Sequence, residues 1–161
     1  MISPPSNPPG RPTAQGPSTT SWTTPEPGDV LSYSYLWSHE EAAGRDEGVK
    51  DRPVVVVVAI LAQQGQTVLL VVPITHRPTA SGDGVEVPST VKRHLGLDDG
   101  RSWIITTEVN RFIWPGPDVR PTKGQSSPHY GAIPAKLFEQ ARLQIMAHRS
   151  AGNARVIKRT E

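Results

Sequence analysis

Arg52, Thr75 and Glu108 are the residues of this sequence whose types suit chemistry on a phosphate. Arg52 carries a fixed planar fork that matches two phosphate oxygens at once, and Thr75 adds a hydroxyl that hydrogen-bonds a phosphate oxygen or a ribose. Glu108 supplies a carboxylate able to take a proton. A plainer reading stands beside this one: Arg52 pairs with Asp51 or Glu108, and Thr75 merely ends a strand. Thr75 is followed by His76 and Arg77, while Glu108 belongs to a polar run with Thr106, Thr107, Asn110 and Arg111.

Other chemistries find no matching residues. The five histidines, His39, His76, His94, His129 and His148, form no i, i+4 pair of the kind a helical metal site uses. With no cysteine there is no disulfide and no thiolate metal site, a composition that suits a reducing cytoplasm. Neither a GxSxG elbow nor a GxxxxGK phosphate loop occurs. No metal and no cofactor is expected.

The elements that must position the three residues start with "DRPVVVVVAILAQQGQTVLLVVPITHRP". Five consecutive valines at 54–58 predict a strand covered on both faces, because β-branched runs pack poorly into helices. Residues 67–72 form a similar run, and Gln63, Gln64, Gly65 and Gln66 supply the turn of an antiparallel hairpin. A turn centred near Gln64 or Gly65 sets Arg52 across from His76 or Arg77 and one diagonal step from Thr75. Pro53 and Pro73, which donate no ladder hydrogen bond, predict an edge or a bulge at this end.

Around the hairpin, "GDVLSYSYLW" at 28–37 alternates, with Leu31, Tyr33, Tyr35 and Trp37 on one face of a predicted strand. Residues 38–51 are charged and lack an apolar period, so a long loop is expected. A short strand over 84–88, a turn or two of helix in "STVKRHLGL" capped by Ser89, and a strong strand over 102–114 follow. The polar run in the middle of that last strand predicts a bulge or a functional face. Residues 114–130 are rich in Pro and Gly and read as loop. The helix after Pro134 buries Leu137, Phe138, Ala141 and Ile145, Gly152 ends it, and "RVIKRTE" forms a last short strand or a frayed end. Together these predict a mainly β fold, a compact antiparallel sheet curled or closed into a small barrel with a C-terminal α-helix.

Residues 1–27 hold eight of the chain's 17 prolines among Ser, Thr and Gly, a mixture with too little apolar surface to offset the entropy of ordering it. They are expected to be a disordered extension without the features of an export signal, leaving residues 28–161 as the folded domain. The apolar runs fall far short of the roughly 20 residues of a membrane helix, so no membrane association is expected. The formal charge of +2 does not by itself gather nucleic acid. Arg77, Lys92, Arg93, Arg101, Arg111, Arg120 and Lys123 cluster in or beside central loops, either as a phosphate-binding face or as an ordinary solvated surface.

Taken in order, four stretches resemble the MazF/PemK (Kid-like) toxins of bacterial toxin–antitoxin modules. "PGDVLSYSYLW" is similar to the family's opening "GD" strand, "DRPVVVVV" to its "RP" strand, "VVPITHRP" to its "P-x-T" strand end, and "TTEVNRFIW" to its "Asp/Glu-Gln-x-Arg/Lys" strand. The resemblance covers roughly residues 26 to 150. It implies an SH3-like barrel, usually a homodimer, that cuts single-stranded RNA without a metal and arrests growth until an acidic antitoxin blocks the groove. Cleavage goes by attack of the ribose 2′-OH on the adjacent phosphate. By position, Arg52 matches the family's catalytic arginine, Thr75 its catalytic threonine, and Glu108 a carboxylate that serves as base in some members.

His76, Arg77, Asn110 and Arg111 would then contact RNA. The family's "S-E-Q-x-G-x-R-P" loop corresponds to the longer "SHEEAAGRDEGVKDRP", where Glu40, Glu41 or Glu47 takes the place of the loop glutamate. His76 stands where a small polar residue is common. The alternative function is a non-catalytic barrel that acts by binding protein, either as an inactive relative or as a poison of DNA gyrase in the manner of the CcdB toxins.

Overall fold

The computed structural model describes residues 22–45, 48 and 50–159. The hairpin forms as expected from β2 (Arg52–Leu61) and β3 (Thr67–Thr75). Its turn closes with Gly65 N–H donating to Ala62 O at 3.0 Å and Ala62 N–H to Gln66 O at 2.7 Å, and Gly65 takes the left-handed φ of 78° that such a turn requires. β1 (Asp29–Tyr33) pairs antiparallel with β2 on one side and with β7 (His129–Ala132) on the other.

The outer edge of β3 is shared between two partners. Its first half pairs with β6 (Glu108–Trp114), and its end pairs with β5 (Trp103–Ile105), which carries β4 (Gly84–Glu86) beyond it. Pro73 stands in the gap between these partners, where that edge has no ladder to support. The expected single strand over 102–114 is therefore broken at Thr106–Thr107, because the chain leaves one end of β3 and rejoins it further along. Buried Thr106 is held there by its hydroxyl, which donates to Gln144 at 2.9 Å.

The valine run lies between two cores, which is why all five positions are apolar. Val55 and Val57 pack with Val30, Val72, Ile104, Leu137 and Ala141. Val54 and Val56 pack on the other face with Leu31, Tyr33, Tyr35, Leu69, Val71 and Phe112. The first face is covered by α2 (Ser89–Leu95) and by α3 (Ala135–Ser150), which buries Leu137 and Ala141 and half-buries Phe138 and Ile145. Ser89 begins α2 rather than capping it, and Gly96 ends it in a left-handed conformation. After α3, β8 (Arg155–Lys158) adds to β6 in parallel.

Three local expectations change. The opening strand stops at Tyr33, although its alternation continues far enough to seat Tyr35 in the second core. Within the stretch read as loop, residues 38–42 form a short helix, α1 (Ser38–Ala42), too brief for any apolar period to show. β7 was hidden in Pro- and Gly-rich sequence. Residues 1–21 of the expected N-terminal extension lie outside the described residues, whereas two side chains of 22–27 dock on the domain: the Trp22 indole N–H donates to Ser126 O at 2.8 Å, and Pro25 is buried.

Candidate functional site

A β-bulge decides what faces what at the polar end of the hairpin. From the turn the ladder runs Leu61↔Thr67 to Val58↔Leu70, then shifts by one residue so that Val56 meets Val71 and Val54 meets Pro73. Two residues further along that register, Thr75 stands opposite Arg52. The sequence expectation of His76 or Arg77 opposite Arg52 is one or two residues off, because Val57 and Val58 both serve the same core face and take up the extra residue.

Arg52 and Thr75 both line an open cleft of ≈ 1590 Å³, together with Glu40, His76, Arg77 and Glu108. That is larger than the roughly 300–1,000 Å³ usual for a small-molecule site. Basic side chains line it on several sides: Lys50 before β2, Arg77 after β3, and Lys123 in the loop that precedes β7.

Arg52 is held without being consumed. Its guanidinium lies over the Trp37 ring, 5.1 Å from the centroid, a cation–π contact that fixes the plane of the fork. Burial lowers its pKa from the ordinary value, Arg77 pushes the same way, and the charge of Glu40 opposes both. Among the described residues Arg52 forms no ion pair, and its buried Nε has no hydrogen-bond partner. The plainer reading, in which Arg52 pairs with Asp51 or Glu108, does not match this geometry. Asp51 lies 4.0 Å from Arg120, and Glu108 is engaged elsewhere. A half-buried guanidinium that forms no direct ion pair among the described residues keeps its fork available for an incoming phosphate.

The other expected residues divide. Thr75 Oγ1 accepts from the Arg77 backbone N–H at 3.2 Å, which orients the hydroxyl at the strand end. His76 lines the cleft, but both ring nitrogens are used by the wall: Nε2 meets Asp98 at 2.9 Å and Nδ1 meets Arg101 O at 2.9 Å. Lys92, almost fully buried, bonds the same Asp98 at 3.0 Å, so His76 and Lys92 together tie down the loop after α2. Asn110 is not at the cleft. Fully buried, its amide accepts from Leu36 N–H at 2.9 Å and donates to Leu36 O at 2.8 Å. Arg111 is exposed on β6 between β3 and β8 and does not line the cleft.

Of the glutamates considered for the loop position, Glu40 is the one among the described residues that lines the cleft. It is buried, its Oε1 accepts from the Trp37 N–H at 3.0 Å, and its charge bears on Arg52. Glu41 is exposed, and Glu47 lies outside the described residues. Sequence alone left the choice open because a helix of five residues has no legible phase. Among the described residues no group of three His, Asp or Glu side chains is placed to hold a metal ion, and no helix is long and apolar enough to cross a membrane.

No protein-family model matches the chain, and no curated protein sequence matches it. Among solved structures it is similar to the MazE–MazF complex of Deinococcus radiodurans in two crystal forms. Form III aligns with a TM-score of 0.53 and 14% identity over 78% of this chain and 96% of that one. Form II gives 0.51 and 13% over 78% and 94%. The expected architecture is therefore present: a mainly β, antiparallel MazF-like fold with a C-terminal helix.

Proposed function

We propose that this MazF-like chain is the toxin of a toxin–antitoxin module and cuts single-stranded RNA at the Arg52–Thr75 cleft without a metal. The observation that carries the reading is the convergence of Arg52 and Thr75 on adjacent strands, with Glu40 and Arg77 beside them, in an open cleft where the Arg52 guanidinium forms no direct ion pair among the described residues. The MazE–MazF likeness supports it through the fold.

In the proposed reaction the ribose 2′-oxygen attacks the adjacent phosphorus and its proton passes to a carboxylate, for which Glu40 is placed beside Arg52. Arg52, backed by Arg77, stabilises the charge that develops on the non-bridging oxygens, and Thr75 orients the phosphate. The bond to the 5′-oxygen breaks and that oxygen takes up a proton from solvent water, leaving a 2′,3′-cyclic phosphate and a 5′-OH. An arginine is well suited to hold this charge and poorly suited to give up a proton, since its guanidinium stays protonated.

The partner that silences such a cleft would be an acidic segment folding over Arg52 and Arg77, competing with RNA, and the working unit would be a homodimer in the cytoplasm.

The purified protein is expected to cleave single-stranded RNA in EDTA and to leave 2′,3′-cyclic phosphate ends. Arg52→Ala should lower the rate about a hundredfold, on the order of 3 kcal/mol of transition-state stabilisation. Undiminished cleavage by Arg52→Ala removes this arginine from the mechanism. Inertness of the wild type toward varied RNAs favours instead a barrel that acts by binding protein.

A further inference from the structure

Glu108 was expected to be a base, yet its carboxylate is bound up in the fold. It is buried. Oε1 accepts from the Tyr35 hydroxyl at 3.2 Å and from the Ser38 backbone N–H at 2.9 Å, and Oε2 accepts from the Ser38 hydroxyl at 3.0 Å. Tyr35 is held as the donor: burial first, and then the charge of Glu108, push its phenol well above the ordinary value.

Those three bonds join β6 to the segment that turns from β1 into α1. Between Tyr35 and Ser38 lies Trp37, over whose ring Arg52 sits, and two residues past Ser38 comes Glu40. Glu40 is then locked locally by the Trp37 N–H, and the Glu40 and Glu41 amides both donate to Trp37 O at 3.0 Å. The position of α1 relative to the sheet is thus set by what grips Ser38. Arg155 adds a longer contact to the same Ser38 hydroxyl at 3.4 Å.

We propose that Glu108 is a positioning residue, a strand carboxylate that clamps the start of α1 and so sets Trp37 under Arg52 and Glu40 beside it, while Glu40 makes the proton transfer. The inference rests on the cleavage reading above and deepens it by separating the two carboxylates of the cleft. Glu108 occupies the strand position at which some members of the resembling family keep a base, but here its oxygens point into hydrogen bonds with the chain itself.

Conservative and truncating variants separate the two roles. Glu108→Gln keeps a carbonyl oxygen for the Ser38 N–H and an amide that meets the Ser38 hydroxyl, so single-turnover cleavage should stay within about fivefold of wild type with the acidic limb of the pH–rate profile intact. Glu108→Ala should fall about thirtyfold or more. Glu40→Gln should be slow with that limb lost. If Glu108→Gln is as slow as Glu108→Ala and lacks the acidic limb, Glu108 transfers the proton itself and the proposal fails.

Amide hydrogen exchange gives a second readout that does not depend on activity. The Glu40 and Glu41 amides should exchange faster in Glu108→Ala than in wild type and at near wild-type rates in Glu108→Gln, while the β2–β3 amides stay protected. If Glu108→Ala does not fold, Ser38→Gly removes one of the three bonds, and the same two amides should exchange faster. Unchanged exchange in the truncating variant overturns the clamp. A wild type that cuts no RNA but shows the exchange pattern retains the clamp and fails the cleavage reading alone.

Discussion

Two arginines of this chain sit over aromatic rings at almost the same height, Arg52 at 5.1 Å from Trp37 and Arg159 at 5.2 Å from Tyr33, and they do opposite things. They are near neighbours, since Tyr33 is the cross-strand partner of Arg52 in the β1–β2 ladder. Arg159 is buried, and both of its terminal guanidinium nitrogens are engaged by the chain. It pairs with Asp118 at 2.9 Å and donates to Ser34 O at 2.6 Å, to Asn110 Oδ1 at 3.1 Å and to the Tyr33 hydroxyl at 3.2 Å. Arg52 is half-buried, faces a cleft, and has Glu40 near it without a bond.

The contrast teaches what separates a structural cation from one available to a ligand. Residue type, aromatic support and a nearby carboxylate are common to both sites. What differs is how many acceptors the described residues supply to the terminal guanidinium nitrogens. For Arg159 the last described residue of the chain is bolted to β1, β6 and the loop before β7, closing the sheet's second core. For Arg52 no direct ion pair forms and Nε finds no acceptor among the described residues.

The largest expected effect comes from breaking the ion-paired site. Arg159→Met should cost about 3–5 kcal/mol of unfolding free energy, because it leaves Asp118 buried without its partner charge. Arg52→Met, by contrast, should cost less, about 1 kcal/mol, because Arg52 is half-buried and forms no direct ion pair among the described residues, although buried Glu40 loses a nearby opposite charge. Urea unfolding of the two variants side by side tests the comparison. Equal losses would show that Arg52 is as structural as Arg159.

Sequence patterns reached one of these sites and missed the other, for a physical reason. Arg52 lies at the end of a hairpin whose two apolar runs and polar turn are legible locally, so its nearness to Thr75 could be foreseen. The register could not. A run of identical valines carries no mark of the bulge at Val57, since each position is apolar whichever core it faces. Asn110 was grouped with the functional residues because a polar side chain in mid-strand reads the same whether it meets a ligand or a buried network. Its partners Leu36 and Arg159 are distant in sequence, and nothing local marks them. The fold class came through because the period-2 strands, the valine run and the α3 stripe are strong local signals. α1 and β7 did not, being too short to show a period.

A smaller effect sits between the two arginines, at Tyr35. Its hydroxyl donates to Glu108 from within the core that also holds Tyr33. Tyr35→Phe should cost about 1–2 kcal/mol at neutral pH, because Glu108 loses a buried donor. The sign with pH follows from the raised folded-state value. The phenol's contribution is fully present below its unfolded pKa of about 10 and is lost as pH rises through the higher folded value, so wild-type stability should fall in alkali and the fall should be shallower in Tyr35→Phe. Thermal melts from neutral pH to above pH 10 would show it, and identical alkaline slopes would detach Tyr35 from the clamp.

The smallest effect concerns a contact that serves both arginines at once. The loop before β7 carries Asp118, the partner of Arg159, and also Lys123 on the cleft wall. Trp22 pins that loop, with its indole N–H on Ser126 O and its ring 6.1 Å from Trp114, and the Thr23 carbonyl meets His129 at 2.9 Å. Trp22→Ala should therefore cost about 1 kcal/mol, the share of aromatic burial that a half-exposed indole supplies, and should weaken RNA binding about two- to threefold through a looser cleft wall. Removal of residues 1–21, whose composition offers little to pack, should leave the melting temperature nearly unchanged. Truncation to Trp22 compared with truncation to Gly28 makes the difference measurable in one series of melts. If both truncations melt together with the full chain, the Trp22 contact carries no stability and the loop is held by Asp118 and Arg159 alone. If the shorter cut already lowers the melt, the first 21 residues contribute to the fold and the boundary of the domain moves to the start of the chain.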